Sequence, residues 1–155
     1  AGKFFGILET FLISVGLDEL LGVRFSPEKI QKVDFVSGGF FMIRKDLFEK
    51  LNGFDENFFM YVEDMELCYR LKIEGFFTYF TPAAVLVHAS HGSSSRSYAV
   101  ENIYKGLLYF QKKHGSEFSY KAVRLMLRIK AQLLVIVGWM LNNKYLAETY
   151  GKVAK

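Results

Sequence analysis

GFDENFFMYVEDMELCYRLKIEG, running from Gly53 to Gly75, packs an aromatic run, a Glu63–Asp64 pair and a helix start into one short stretch. The acidic pair marks the start, because carboxylates are favoured where unpaired N–H groups and the positive end of the helix dipole converge. Gly75 marks the stop, as a residue that takes positive φ without steric cost. Side chains three and four apart share a helix face, and that separates the two acids. Asp64 aligns with Leu67, Cys68 and Leu71 at the rim of an apolar stripe, whereas Glu63 aligns with Glu66 and Arg70. Glu63 therefore has a cation within reach. Asp64 is left free over an apolar floor, as a general base requires. Taken alone, the pair reads equally as an N-cap and an ordinary first-turn acid.

Working outward, Val33–Ser37 is predicted as a strand entering Gly38-Gly39, and Phe40–Ile43 as a strand covered on both faces. The two glycines suit either a tight turn or a close approach of backbone to a ligand. Asp46 and Glu49 have capping-box spacing for a short helix that closes at Gly53. Asp55 is expected to shape the GFDE turn by bonding nearby amides. Most of the aromatics at Phe58, Phe59 and Tyr61 are expected in the core, with Tyr61 the one whose hydroxyl suits an acceptor contact. Downstream, Phe76–Phe80 and Val85–Val87 read as strands, the second ending at His88. A histidine at the C-terminal end of a strand in an α/β sheet sits where ligands bind. Arg96, after a Ser-rich loop, is placed either to reach a phosphate or to sit in solvent.

These features in this order are Gly-Gly after a strand, Arg44 closing the next, GFDE, FFMY, Glu-Asp, an Arg six residues on and a His after an apolar strand. Together they resemble the second half of the catalytic domain of inverting family 2 glycosyltransferases, in the rhamnosyltransferase-like branch, over about Val33 to Gly115. The resemblance implies an α/β fold: a partial GT-A, Rossmann-like half-domain with a mixed sheet and flanking helices. It implies Asp64 as the base, with Glu63 beside it in the catalytic pair, and Gly38 and Gly39 as a turn bordering the donor and acceptor sugars; Tyr61 and Arg96 join them as substrate contacts on their own side-chain chemistry. It implies His88, with His91 as the alternative, as ligand to Mg²⁺ or Mn²⁺. The partners implied are a dTDP- or UDP-sugar donor and a glycan or lipid-linked acceptor receiving a single sugar. The place implied is the cytoplasm or the inner face of the cytoplasmic membrane. No Asp-x-Asp metal motif occurs in the chain. The nucleotide-binding half is therefore expected upstream of Ala1, and the present chain is expected to be inactive alone. No Gln-x-x-Arg-Trp motif occurs either, which favours single transfer over polymer synthesis.

The remaining composition sets bounds. With 155 residues, 51% hydrophobic and 17% aromatic, the chain can bury a core, which excludes disorder. A net charge of +4 suits an anionic partner, but no basic recognition helix is present, so nucleic acid is not expected. Cys68 is the only cysteine, which excludes an internal disulfide. Residues 1–117 are expected to form the acceptor-side half-domain. Residues 118–155 are expected to be a helical segment carrying C-terminal amphipathic helices. In it Met126, Ile129, Leu133, Ile136, Val137 and Met140 recur at helical spacing, beside Lys121, Arg124, Arg128, Lys130 and Trp139. That pattern fits a helix in a membrane interface and fits equally one packed on the domain. A non-catalytic, membrane-associated module that binds glycan or a partner protein is the alternative function.

Overall fold

The computed structural model describes residues 1–87 and 95–154. Among them the elements in chain order are α1 (Ile7–Val15), β1 (Gln31–Val33), a 3-10 turn (Gly38–Phe40), α2 (Lys45–Lys50) and α3 (Glu63–Ile73), then β2 (Thr78–Phe80), α4 (Arg96–His114), α5 (Glu117–Met140) and α6 (Lys144–Val153). The class is α/β, with helices dominating.

The sheet is smaller than the sequence suggests. β1 and β2 pair antiparallel, with Lys32 opposite Tyr79, and beyond them Gly2 bridges singly to Arg24 and to Phe35. Phe40–Ile43 is not a strand: Gly38-Gly39-Phe40 winds into the 3-10 turn, and Met42 is 92% exposed. Val85–Val87 likewise forms no ladder among the described residues, and Val87 stands almost fully exposed. A strand exists only through the neighbour that takes its N–H and C=O groups, and the described residues supply one such neighbour pair. The apolar patterning of these two runs was legible, but their ladder partners are not among the described elements.

The helices are set by local chemistry. Gly16, at φ 76°, closes α1, and Gly75, at φ 83°, follows the end of α3 as the sequence predicts. The expected capping box at α2 does not form. Arg44 is the N-cap, Asp46 is taken by the Arg44 side chain at 3.0 Å, and Glu49 faces Lys45 at 3.6 Å. α4 begins at Arg96, with the Ser95 hydroxyl accepting from the Tyr98 amide at 3.3 Å.

One apolar cluster joins Phe58, Val62 and Met65 to Tyr104, Leu107 and Phe110 of α4 and to Val123, Leu127 and Ala131 of α5. Residues on both sides of position 118 thus share a core. Cys68 is buried in α3, where burial pushes its thiol pKa up, as an inert thiol requires. Phe58 anchors in the core as expected, whereas Phe59 stands 76% exposed.

Candidate active site

The site is built on the N-terminus of α3. Tyr61 and Val62 both lie in the left-handed region, at φ 69° and 71°. For a β-branched valine that is an uncommon backbone, costing about 1–3 kcal/mol. It persists because α4 closes over it: Val62 is buried, and a β-carbon on Gly106 would stand 2.9 Å from Val62 Cγ2 and 3.1 Å from the Tyr61 carbonyl oxygen. The sharp turn ends in Val62 as the N-cap, so Glu63 and Asp64 become the first two residues of α3.

The two acids differ, but not as the sequence suggests. Asp64 is not free. Its Oδ2 accepts the Gly38 amide at 2.7 Å and its Oδ1 the Met65 amide at 2.7 Å. Glu63 has no arginine. One of its carboxylate oxygens, Oε2, is buried without a hydrogen-bond partner among the described residues. Burial pushes the Glu63 carboxyl up, and the charge of Asp64 adds to the rise against the pull of Glu63's own amide. The expected cation is drawn elsewhere: Arg70 donates to Glu66 at 2.8 Å and to the carbonyl oxygens of Leu51 and Gly53 at 2.6 and 2.8 Å.

Behind the pair, Glu66 is fully buried and accepts from Arg70, from Lys113 at 2.7 Å and from His114 Nε2 at 3.0 Å. Burial pushes its carboxyl up, but the bonds from Lys113, His114 and Arg70 prevail and hold it below its ordinary value. Lys113 also reaches Asp55 at 2.7 Å, and Asp55 accepts the Asn57 amide at 2.9 Å, as expected for a turn-shaping aspartate. This buried network locks α3 to α4 and to the GFDE turn. Its sequence signal is the Glu66–Arg70 spacing; Lys113 and His114 lie nearly fifty residues away on α4 and carry no local signal of it.

Glu63 and Asp64 open onto a cleft of about 1380 Å³. Gly38, Gly39, Tyr61 and Arg96 line the same cleft. Six candidates from three separate segments therefore meet in one place. Gly38 contributes its amide more than room, since a β-carbon there would meet the Asp64 side chain at an ordinary 3.6 Å. Tyr145, on α6, lines the cleft too, and nothing in its sequence neighbourhood announces it. His88 and His91 lie outside the described residues. Among the described residues no group of three or more His, Cys, Asp or Glu could hold a metal ion, and Glu63 with Asp64 does not make such a site alone.

Comparison with known proteins points the same way as the cleft. The family model described as "Glycosyltransferase like family 2" matches residues 23–103. The rhamnosyltransferase WbbL of Escherichia coli (strain K12) is 34% identical over 89 residues, which are 56% of this chain and 34% of that protein. An N-acetylglucosaminyl-diphospho-decaprenol L-rhamnosyltransferase of Mycobacterium tuberculosis (strain ATCC 25618 / H37Rv) is 34% identical over 73 residues, covering 47% of this chain and 24% of that protein. The low-salt glycan biosynthesis hexosyltransferase Agl10 of Haloferax volcanii is 28% identical over 134 residues, covering 84% of this chain and 41% of that protein. The chain thus spans 24% to 41% of the length of these curated relatives. No solved structure matches it.

Proposed function

The chain belongs to glycosyltransferase like family 2, and on that premise we propose that its cleft is the acceptor side of a sugar-transfer site in a GT-A domain. The observation that carries the reading is the meeting of Asp64, Glu63, Gly38, Gly39, Tyr61 and Arg96 around one cleft. The donor is a nucleotide sugar, dTDP- or UDP-linked, and the names of two relatives favour rhamnose as the sugar. The acceptor is a glycan or a lipid-linked saccharide. Because the chain spans less than half of its relatives, transfer is a property of the intact enzyme, and the chain alone is expected to be inactive.

The chemistry is a single displacement with inversion. Asp64 takes the proton of the acceptor hydroxyl while that oxygen bonds to the anomeric carbon. The bond from that carbon to the diphosphate oxygen breaks, and its electron pair leaves with the nucleoside diphosphate. Two amide donors fix the orientation of the Asp64 carboxylate. Tyr61 contacts the acceptor, and the Arg96 guanidinium faces the phosphates. Mg²⁺ or Mn²⁺ would neutralise charge on the leaving diphosphate, with His88, or alternatively His91, as this chain's contribution to holding it.

A second assignment of roles has its own observation. Glu63 has a buried oxygen without a partner among the described residues, and burial raises its pKa; a base with a raised pKa abstracts a proton more readily near neutrality. The pH dependence of kcat separates the two. With Asp64 as base, Glu63→Gln keeps the acidic limb of the profile and yields product of inverted anomeric configuration. Loss of that limb in Glu63→Gln, with Asp64→Asn retaining it, transfers the role to Glu63. Retained configuration in the product would defeat both assignments.

A further inference from the structure

We propose that the outward face of α5 docks on an anionic lipid surface. α5 is 24 residues long, about 36 Å at 1.5 Å per residue, and its inward face is fully used. Val123, Leu127 and Ala131 are buried in the core, and Gly138 seats so close to α6 that a β-carbon there would lie 2.6 Å from the Ala147 amide nitrogen. Roughly half a turn around the helix, a second apolar stripe runs along Leu125, Ile129, Leu133, Ile136 and Met140. Its residues are 47% to 79% exposed. Packing needs only one apolar face of a surface helix. The second is therefore unexplained by the fold, and most of the residues that the sequence pattern placed on one stripe belong to it.

Charge decides what covers it. From Phe118 to Ala147 there is no Asp or Glu, whereas Lys121, Arg124, Arg128, Lys130 and Lys144 fall in that span. Arg124 and Arg128 are exposed along one edge of the stripe with Lys121, which pairs with Glu117 at 3.2 Å, whereas Lys130 turns inward to the Ile13 carbonyl; Trp139 stands 72% exposed near the stripe's end. An apolar stripe with a basic flank and an interfacial tryptophan is what a helix lying in the plane of a lipid headgroup layer presents. Pairing with a second copy would bring basic edges together with no acidic residue on the stripe to offset them. No helix among the described residues is long and apolar enough to cross a membrane, so the contact lies in the plane of the surface. Joined to the transfer reading, on which this one consequence rests, the contact would bring the cleft to a lipid-linked acceptor.

The test is sedimentation of the intact protein with phosphatidylcholine vesicles carrying or lacking phosphatidylglycerol. Binding is expected with the anionic vesicles and is expected to weaken with added salt. Ile129→Glu/Ile136→Glu and Arg124→Glu/Arg128→Glu are each expected to lower the bound fraction about tenfold at unchanged Tm, since all four side chains are exposed. The proposal is overturned if wild type stays in the supernatant, or if the Ile129→Glu/Ile136→Glu protein binds as wild type does. It is also overturned if those substitutions merely convert a dimer to a monomer in a protein that binds no vesicle. Vesicle binding needs no sugar transfer, so failure here leaves the transfer reading standing, and the reverse holds too.

Discussion

Two carboxyl groups on adjacent residues of one helix end are held in opposite ways. Asp64 is gripped by two backbone amides, and Glu63 keeps a buried oxygen without a partner among the described residues. What sets both is the left-handed pair Tyr61–Val62, and what holds that pair is the absence of a side chain at Gly106. Gly106→Ala would drive a methyl into the Val62 side chain and the Tyr61 carbonyl, neither of which can give way without moving the acids. We expect it to cost about 1–3 kcal/mol in urea unfolding, as overpacking in a filled core does, and to lower kcat beyond what the lost stability explains. Adding Val62→Ala removes the Cγ2 atom that the new methyl meets and should restore part of both. A Gly106→Ala protein as stable and as active as wild type would show that the turn is not held from α4. The sequence showed the acids and the helix start. It could not show the strained turn, because a tyrosine and a valine give no signal for positive φ.

At the scale of elements, α3 and α4 are joined by a buried charge network instead of by apolar contact alone. Glu66 and Asp55 both titrate below their ordinary values. Burial pushes each up, and the bonds from Lys113 in particular bring each down further than burial lifts it. The native state therefore binds fewer protons than the unfolded chain near these groups. Their contribution to stability is complete above the ordinary carboxylate range, about pH 4, and is lost as pH falls through it to the lower folded values. Lys113→Met should cost about 2 kcal/mol at neutral pH, by leaving Glu66 and Asp55 each short of a cation. It should also flatten the acid loss of stability, read as urea midpoints from pH 7 down to about pH 3. Parallel wild-type and variant curves would show that Lys113 does not govern these carboxyls. The i,i+4 spacing of Glu66 and Arg70 was legible, but the burial of Glu66 was not, because it depends on residues nearly fifty positions away on α4. The amphipathic pattern of α5 was legible too. Which of its two faces packs is decided by α1, α4 and α6, and a single helix's periodicity carries no record of its neighbours.

For the whole molecule, the contrast lies between a site that assembled and a sheet that did not. Gly38 and Arg96 are far apart in the chain and face one cleft with Asp64. The runs Phe40–Ile43 and Val85–Val87 have the apolar character of buried strands but stand without ladders among the described residues. Side-chain pattern reports what a strand would bury; only a hydrogen-bonding neighbour makes it a strand. The motifs that meet at the cleft each fix local geometry: a turn, a helix end, a glycine amide. The most direct measurement is of Asp64→Asn in the intact enzyme, comparing single-turnover sugar transfer with donor affinity. The account predicts transfer slowed by at least about a hundredfold with nucleotide-sugar binding nearly unchanged. Transfer at the wild-type rate in that variant would contradict it.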